Sequence, residues 1–135
     1  KSKIFALDIT FDGNLINSKK IKKILLDQSD RDQLKKFIKK YKLYKNIDLI
    51  SDDGSHIDEH ILISFKALFP SLKKGGKYFI EDVAKELTPK TYETFIKNKT
   101  KMFHKIKSIK IFKSNISAKT QSKSKQRYLI IIEKS

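Results

Sequence analysis

Side chains able to ligate a hard cation or move a proton are concentrated in a few places in this 135-residue sequence. From Asp48 to His60 there are five acids (Asp48, Asp52, Asp53, Asp58 and Glu59) and no Lys or Arg, in a chain of formal net charge +16. Crowded carboxylates repel one another unless a cation or a proton offsets them. An acidic pocket in a basic protein is therefore a candidate binding site. Glu81 and Asp82 form a second acidic pair, and Asp8 and Asp27 each close an apolar run. An all-oxygen ligand set in a chain without Cys favours Mg2+, with Ca2+ or Mn2+ as alternatives. His56 stands three residues beyond Asp53, and histidine is the side-chain type best suited to act as a general base beside a metal-bound hydroxyl.

Each of these residues also has a plainer reading. Asp52 and Asp53 precede Gly54, and Asp-Gly is a common turn pair. Ser55 and Asp58 have the S-x-x-D spacing of a capping box, a helix-start signal whatever the function. His56 and His60 are spaced i, i+4 but lack the Glu of the zinc-protease motif, so His60 is read as a packing residue or as support for a neighbour. Lys97, Lys99 and Lys101 read as a solvated face, and His104 carries no signal.

The elements that must position the acids follow from the apolar pattern. Strands are expected at 3–9, 21–26, 47–50 and 77–80, with late strands at 106–112 and 127–133. A helix capped by Ser29 or Asp30 is expected to run to about Tyr41, with Leu34, Phe37 and Ile38 on one face. A second helix follows the capping box through Ile61, Phe65 and Leu68 and is closed by Pro70 and the Gly75-Gly76 pair. A lysine-rich helix is expected over 89–102, and a Ser/Lys/Gln-rich loop over 114–125. Strands alternating with helices give an α/β fold with a mostly parallel sheet, and the last two strands, joined without a helix, give an antiparallel pair at one edge. Ligands of such sheets bind beyond the carboxyl ends of the strands. The first four strands end in Asp8, Asp27, Asp52/Asp53 and Glu81/Asp82, so the site is expected there. Adjacent strands lie about 4.8 Å apart, which lets Asp53, Glu81 and Asp82 converge on one ion if their strands are neighbours. Asp8 and Asp27 suit hydrogen bonding to ribose hydroxyls.

Composition excludes several classes. No Cys means no disulfide, thiolate metal site or cysteine nucleophile. No apolar run approaches the roughly 18–20 residues of a membrane span, and no signal-peptide pattern is present, so no membrane partner and a cytoplasmic location are expected. Residues 84–127 hold 13 basic and two acidic side chains. Of the 31 basic residues only Arg31 and Arg127 are Arg, and a Lys- and Ile-rich, Arg-poor chain is what an AT-rich genome encodes without selection for polyanions. Nucleic-acid readers draw more on Arg. A basic nucleic-acid-binding module, with Tyr92, Phe95, Phe103 and Phe112 among the lysines, is therefore the weaker alternative.

The segment DLISDDGSHIDEHILISFKALFPSLKKGGKYFIED (48–82) strongly resembles the class I S-adenosylmethionine-dependent methyltransferases. It is most similar to the metal-dependent sugar O-methyltransferases of the macrolide mycinose group and the rhamnosyl O-methyltransferases. ALDI at 6–9 and DQSD at 27–30 match that group as well, and the likeness covers about 3–82. The resemblance implies a Rossmann-like sheet whose first strand and Gly-rich turn are not in this sequence, so that the chain is expected to be the C-terminal part of a longer enzyme. One partial domain is expected, with a core over 3–82 and a basic part over 84–135. The resemblance further implies that Asp53, Glu81 and Asp82 bind Mg2+ and that His56 is the catalytic base. Asp8 falls where the cofactor ribose is held, Asp27 and Gln28 fall beside the adenine, and Asp52 is counted with these cofactor-binding residues. The implied reaction is methyl transfer from S-adenosylmethionine to a sugar or polyol hydroxyl, on a small-molecule or glycan acceptor. Homo-oligomerisation is left open, and a catalytically inactive remnant of the family is a further alternative.

Overall fold

A computed structural model of the chain describes residues 2–11, 19–84, 102–114 and 127–135. The order of elements is β1 (Ile4–Asp8), β2 (Ile21–Leu25), α1 (Arg31–Lys40), β3 (Ile47–Asp52), α2 (Asp58–Leu68), β4 (Leu72–Ala84), β5 (Ile106–Ser114) and β6 (Arg127–Lys134), with short 3-10 turns at Phe69–Ser71 and Phe103–Lys105. The lysine-rich helix expected over 89–102 and the loop over 114–125 fall almost wholly outside the described residues.

Strand pairing is parallel for β1 with β2 and for β3 with β4, and antiparallel for β4 with β6 and β5 with β6. The sheet comes in two pieces, β1-β2 and β3-β4-β6-β5. Among the described residues β1 and β2 pair only with each other and β3 pairs only with β4, so the free edges of both β1 and β3 belong to parallel pairs. This is the arrangement expected of a Rossmann-like sheet whose first strand lies beside β3. The antiparallel final pair sits at one edge, also as expected, with β6 on its inner side.

Local chemistry explains the helices. Asp30 caps α1 by accepting from the amides of Asp32 (2.9 Å) and Gln33 (3.0 Å), and Gln33 Nε2 donates back to Asp30 Oδ2 at 2.9 Å. The same contacts hold the Asp30 carboxyl below its ordinary range, the Gln33 amide contributing most. Lys39 and Lys40 in the last turn complement the helix dipole. Leu34 and Phe37 are buried, and Phe37 meets Phe5 of β1 edge-on at 5.4 Å between ring centres. That contact ties the β1-β2 piece to α1.

The second helix departs from expectation. Its N-cap is Ile57, with no side-chain cap hydrogen bond, so the Ser55/Asp58 capping box is not formed. His56 adopts a left-handed backbone, φ 55°, which takes the chain out of helix at the position the box requires to be helical. Ser55 Oγ is engaged elsewhere, with Gln28 Nε2 at 3.2 Å and His60 Nδ1 at 3.0 Å.

β4 is also longer than the pattern of 77–80 indicates. It begins at Leu72 and passes through Gly75 (φ 76°) and Gly76, where the register against β3 jumps from Ile47↔Leu72 to Leu49↔Lys77. Gly76 is needed because a Cβ there would lie 2.9 Å from the Lys73 carbonyl oxygen and 3.2 Å from that of Asp48. The core is closed by Phe65, Phe69, Leu72, Tyr78, Ile80, Ile130 and Ile132, which place α2 on one face of the β3-β4-β6-β5 sheet. Lys134 Nζ donates to the Pro70 (2.8 Å) and Leu72 (2.6 Å) carbonyls, fastening β6 to the turn after α2. Burial pushes its ammonium below the usual lysine range.

Candidate active site

The parallel register of β3 with β4 ends at Asp52↔Ile80, and Asp53 and Glu81 are the next residues along each of these neighbouring strands. The condition attached to the convergence of these acids, that their strands be neighbours, is therefore met at the backbone. The side chains are turned to protein partners. Glu81 Oε1 accepts from Ser51 Oγ, and Asp53 Oδ1 faces His56 Nε2 at 3.8 Å. Among the described residues no three carboxylate or imidazole groups are gathered to hold a metal ion. To share one ion, Glu81 must release Ser51 and Asp53 must turn from His56. The donor chemistry, three carboxylates on adjoining strands, fits a hard cation such as Mg2+.

Glu81 and Asp82 were expected at a strand end, but they lie within β4, which runs on to Ala84. Ile80 pairs with Ile130 and Val83 with Tyr128, so two residues, Glu81 and Asp82, oppose Leu129 alone. This is a β-bulge, and Asp82 occupies it with φ 52°. Arg127 Nη1 donates to the Asp82 carbonyl at 2.9 Å. His56 and Asp82 are thus both held left-handed without being Gly, each at a cost of order 1–3 kcal/mol that persists only where surrounding structure enforces it.

Asp52 has a different place from the one expected. It was counted with cofactor-binding residues, but its carboxylate points into the core, 8% exposed, where Oδ2 accepts from Ser64 Oγ at 2.5 Å and Tyr78 OH at 2.8 Å. Alternation along β3 decides this: Ile50 and Asp52 share the face against α2, leaving Ser51 on the other. Asp53, one residue later, is beyond the strand and exposed.

On the other strand ends, Asp8 Oδ1 accepts from the Thr10 amide at 3.2 Å at the end of β1. Asp27 Oδ1 accepts from Ser29 Oγ (2.7 Å) and the Ser29 amide (2.8 Å), which hold its carboxyl below the ordinary range, the hydroxyl most strongly. Gln28 lies against the β3–α2 loop: a Cβ on Gly54 would come within 1.7 Å of Gln28 Oε1. Gly54 thus lets the loops carrying Gln28 and Asp53 meet, and His60 supports that junction through Ser55. Four residues of the site went unread in the sequence: Ser51, Ser64, Tyr78 and Arg127. Ser64 could have been found, as a hydroxyl on the apolar stripe between Ile61 and Phe65. The partners of Ser51 and Arg127 depend on strand order and leave no sequence signal.

An α/β sheet with parallel strands and an antiparallel final pair is, in part, the Rossmann-like fold of the solved methyltransferases with which it superposes. No family model matches the chain. Among curated proteins it is similar to mycinamicin VI 2''-O-methyltransferase of Micromonospora griseorubida, 39% identical over 83 residues, covering 62% of this chain and 20% of that protein. Demethylmacrocin O-methyltransferase of Streptomyces fradiae is 40% identical over 80 residues, 59% of this chain and 19% of its own length. The chain thus spans about a fifth of the curated relatives it matches. Of solved structures, the MycE methyltransferase of the mycinamycin pathway, in complex with Mg, SAH and mycinamycin VI, superposes with a TM-score of 0.69 at 23% identity, over 98% of this chain and 36% of that one. A methyltransferase from Anabaena variabilis gives 0.56 at 12% identity, over 98% and 68%. At such identities the superpositions establish the fold, and the resemblance to sugar O-methyltransferases rests on the curated relatives.

Proposed function

We propose that the protein containing this chain transfers a methyl group from S-adenosylmethionine to a hydroxyl of a sugar or other polyol, with Mg2+ held by Asp53, Glu81 and Asp82. The observation that carries this reading is the 39% identity to a sugar O-methyltransferase over 62% of the chain, in a fold where Asp53 and Glu81 follow the last paired residues of β3 and β4. S-adenosylmethionine supplies a methyl group on a sulfonium, and bound Mg2+ lowers the pKa of the acceptor hydroxyl. His56 takes the hydroxyl proton at Nε2, the ring nitrogen that faces Asp53 at 3.8 Å. The left-handed backbone of His56 projects the imidazole from the loop rather than from the first turn of α2. Asp8 accepts from the ribose of the cofactor, and Asp27 and Gln28 border its adenine. Asp52, by contrast, serves by fixing the end of β3.

The test is methyl transfer from labelled S-adenosylmethionine to a panel of sugars and glycosides. It uses the polypeptide that carries this chain together with whatever its reading frame encodes before Lys1. Transfer that needs Mg2+ and is lost on adding EDTA or in His56→Ala supports the assignment. Mg2+-dependent transfer that survives Asp53→Ala shows the metal ligands to be misassigned.

A further inference from the structure

We propose that Arg127 is a positioning residue that holds the Glu81–Asp82 bulge in the form one metal ion requires; this rests on the reading of Asp53, Glu81 and Asp82 as the ligands. Consecutive residues of a regular strand point to opposite faces. In an unbroken β4, Ile80 would face the core, Glu81 the opposite side, and Asp82 the core again. The carboxylate of Asp82 would then be driven in among Ile80 and Ile130. The structure avoids this with one extra residue. Tyr78, Ile80 and Val83 are all buried, at 0, 1 and 3% exposure, and the spacing of three between the last two is the mark of the bulge. Neither Glu81 nor Asp82 is taken into the core as a result: Glu81 is half-buried beside Ser51 of β3 and Asp82 is exposed.

Asp82 sits at φ 52°, a conformation uncommon for a non-Gly residue, although Asp tolerates it better than most, and a contact to its carbonyl helps to hold it there. The Arg127 guanidinium donates to the Asp82 carbonyl at 2.9 Å from the first residue of β6, directly across from the end of β4. The choice of side chain is informative in this chain. Only two of its 31 basic residues are Arg, and the planar guanidinium presents its donors in a fixed fork where Lys offers a mobile point charge.

The test is Mn2+ titration of the full chain, followed by loss of the free-ion EPR signal, for the native sequence, Asp82→Asn, Arg127→Met and Arg127→Lys. Electrostatics and positioning predict opposite signs. Removing a positive charge beside a cation site by itself tightens cation binding, whereas releasing the bulge weakens it, by about tenfold or more if Arg127 acts as supporting residues of metal sites generally do. The expected result is saturable binding by the native chain, strong loss in Asp82→Asn, loss of about tenfold in Arg127→Met, and an intermediate affinity in Arg127→Lys. Unchanged or tighter binding by Arg127→Met alongside weakened Asp82→Asn overturns the positioning role and leaves the metal reading standing. Absence of Mn2+ binding by the native chain, or no loss in Asp82→Asn, overturns the metal reading and the role built on it. Thermal melts followed by circular dichroism accompany each titration. Should Arg127→Met unfold, Arg127→Lys decides: a several-fold loss with an unchanged melt supports the role, and native affinity overturns it.

Discussion

The buried carboxylate of Asp52 gives a quantitative test of how the β3 end is fixed. Its Oδ2 takes two hydroxyl donors, Ser64 Oγ at 2.5 Å and Tyr78 OH at 2.8 Å, and the two hydroxyls lie 3.2 Å apart. Tyr78 is fully buried and Ser64 is 2% exposed, so water does not readily replace either donor. A hydrogen bond to a charged acceptor is worth about 1.5–3 kcal/mol when one partner is deleted. Tyr78→Phe removes that bond without opening a cavity, because the ring remains against Phe65 at 5.1 Å. The expected loss is about 2 kcal/mol, or roughly 5–10 °C in melting temperature for a chain of this size. Ser64→Ala should cost a similar amount, and because both donors share Oδ2 the double variant should depart from additivity by roughly 0.5–3 kcal/mol. The chain has no Trp, so urea unfolding is best followed by circular dichroism at the helix band. A loss under about 0.5 kcal/mol in Tyr78→Phe, with strict additivity, would refute a buried Asp52 side chain held by both hydroxyls.

Three further outcomes are expected. The Asp27 and Asp30 carboxyls are held below the ordinary value of 3.8, so their ionised contacts stabilise the chain above that pH and lose their effect as pH falls through the lowered folded values. An acid titration by circular dichroism should show helix loss beginning below about pH 4, and Asp30→Asn should flatten it. Gly76→Ala should destabilise by about 1–3 kcal/mol, since its Cβ meets backbone carbonyls rather than a movable side chain. Gly54→Ala meets only the end of Gln28, and its urea midpoint should move far less. Finally, the edges of β1 and β3 that have no partner among the described residues, with Leu49 57% exposed, should make the isolated chain associate as concentration rises. Sedimentation of Leu49→Lys should show less association, and equal association in both would place the contact elsewhere.

Much of this was legible in the residues. β1, β2, α1 and the late antiparallel pair all follow from apolar runs, the Asp30 cap and the order of elements, whereas the sheet is mixed rather than mostly parallel because β6 runs antiparallel between β4 and β5. The acids Asp8, Asp27, Asp53, Glu81 and Asp82 were marked by type and by their place after apolar runs. The failures have a common form. Ser55 and Asp58 have capping-box spacing, yet Ser55 is drawn to Gln28 and His60, partners 27 and five residues away. Asp52 and Asp53 look equivalent as neighbours, and only the burial of one face of β3 by α2 separates a core carboxylate from an exposed one.

The sequence by itself determined the fold class and which acids are candidates for the site, because hydrophobic period, helix caps and carboxylate type are local properties that survive without knowing what lies next to what. Only the tertiary structure decided which groups are held and by whom. The β4–β6 register opposes Glu81 and Asp82 to Leu129 alone, and Arg127, 45 residues along the chain from Asp82, closes on its carbonyl. A bulge exists only relative to a partner strand, and no reading of one strand's residues contains the partner.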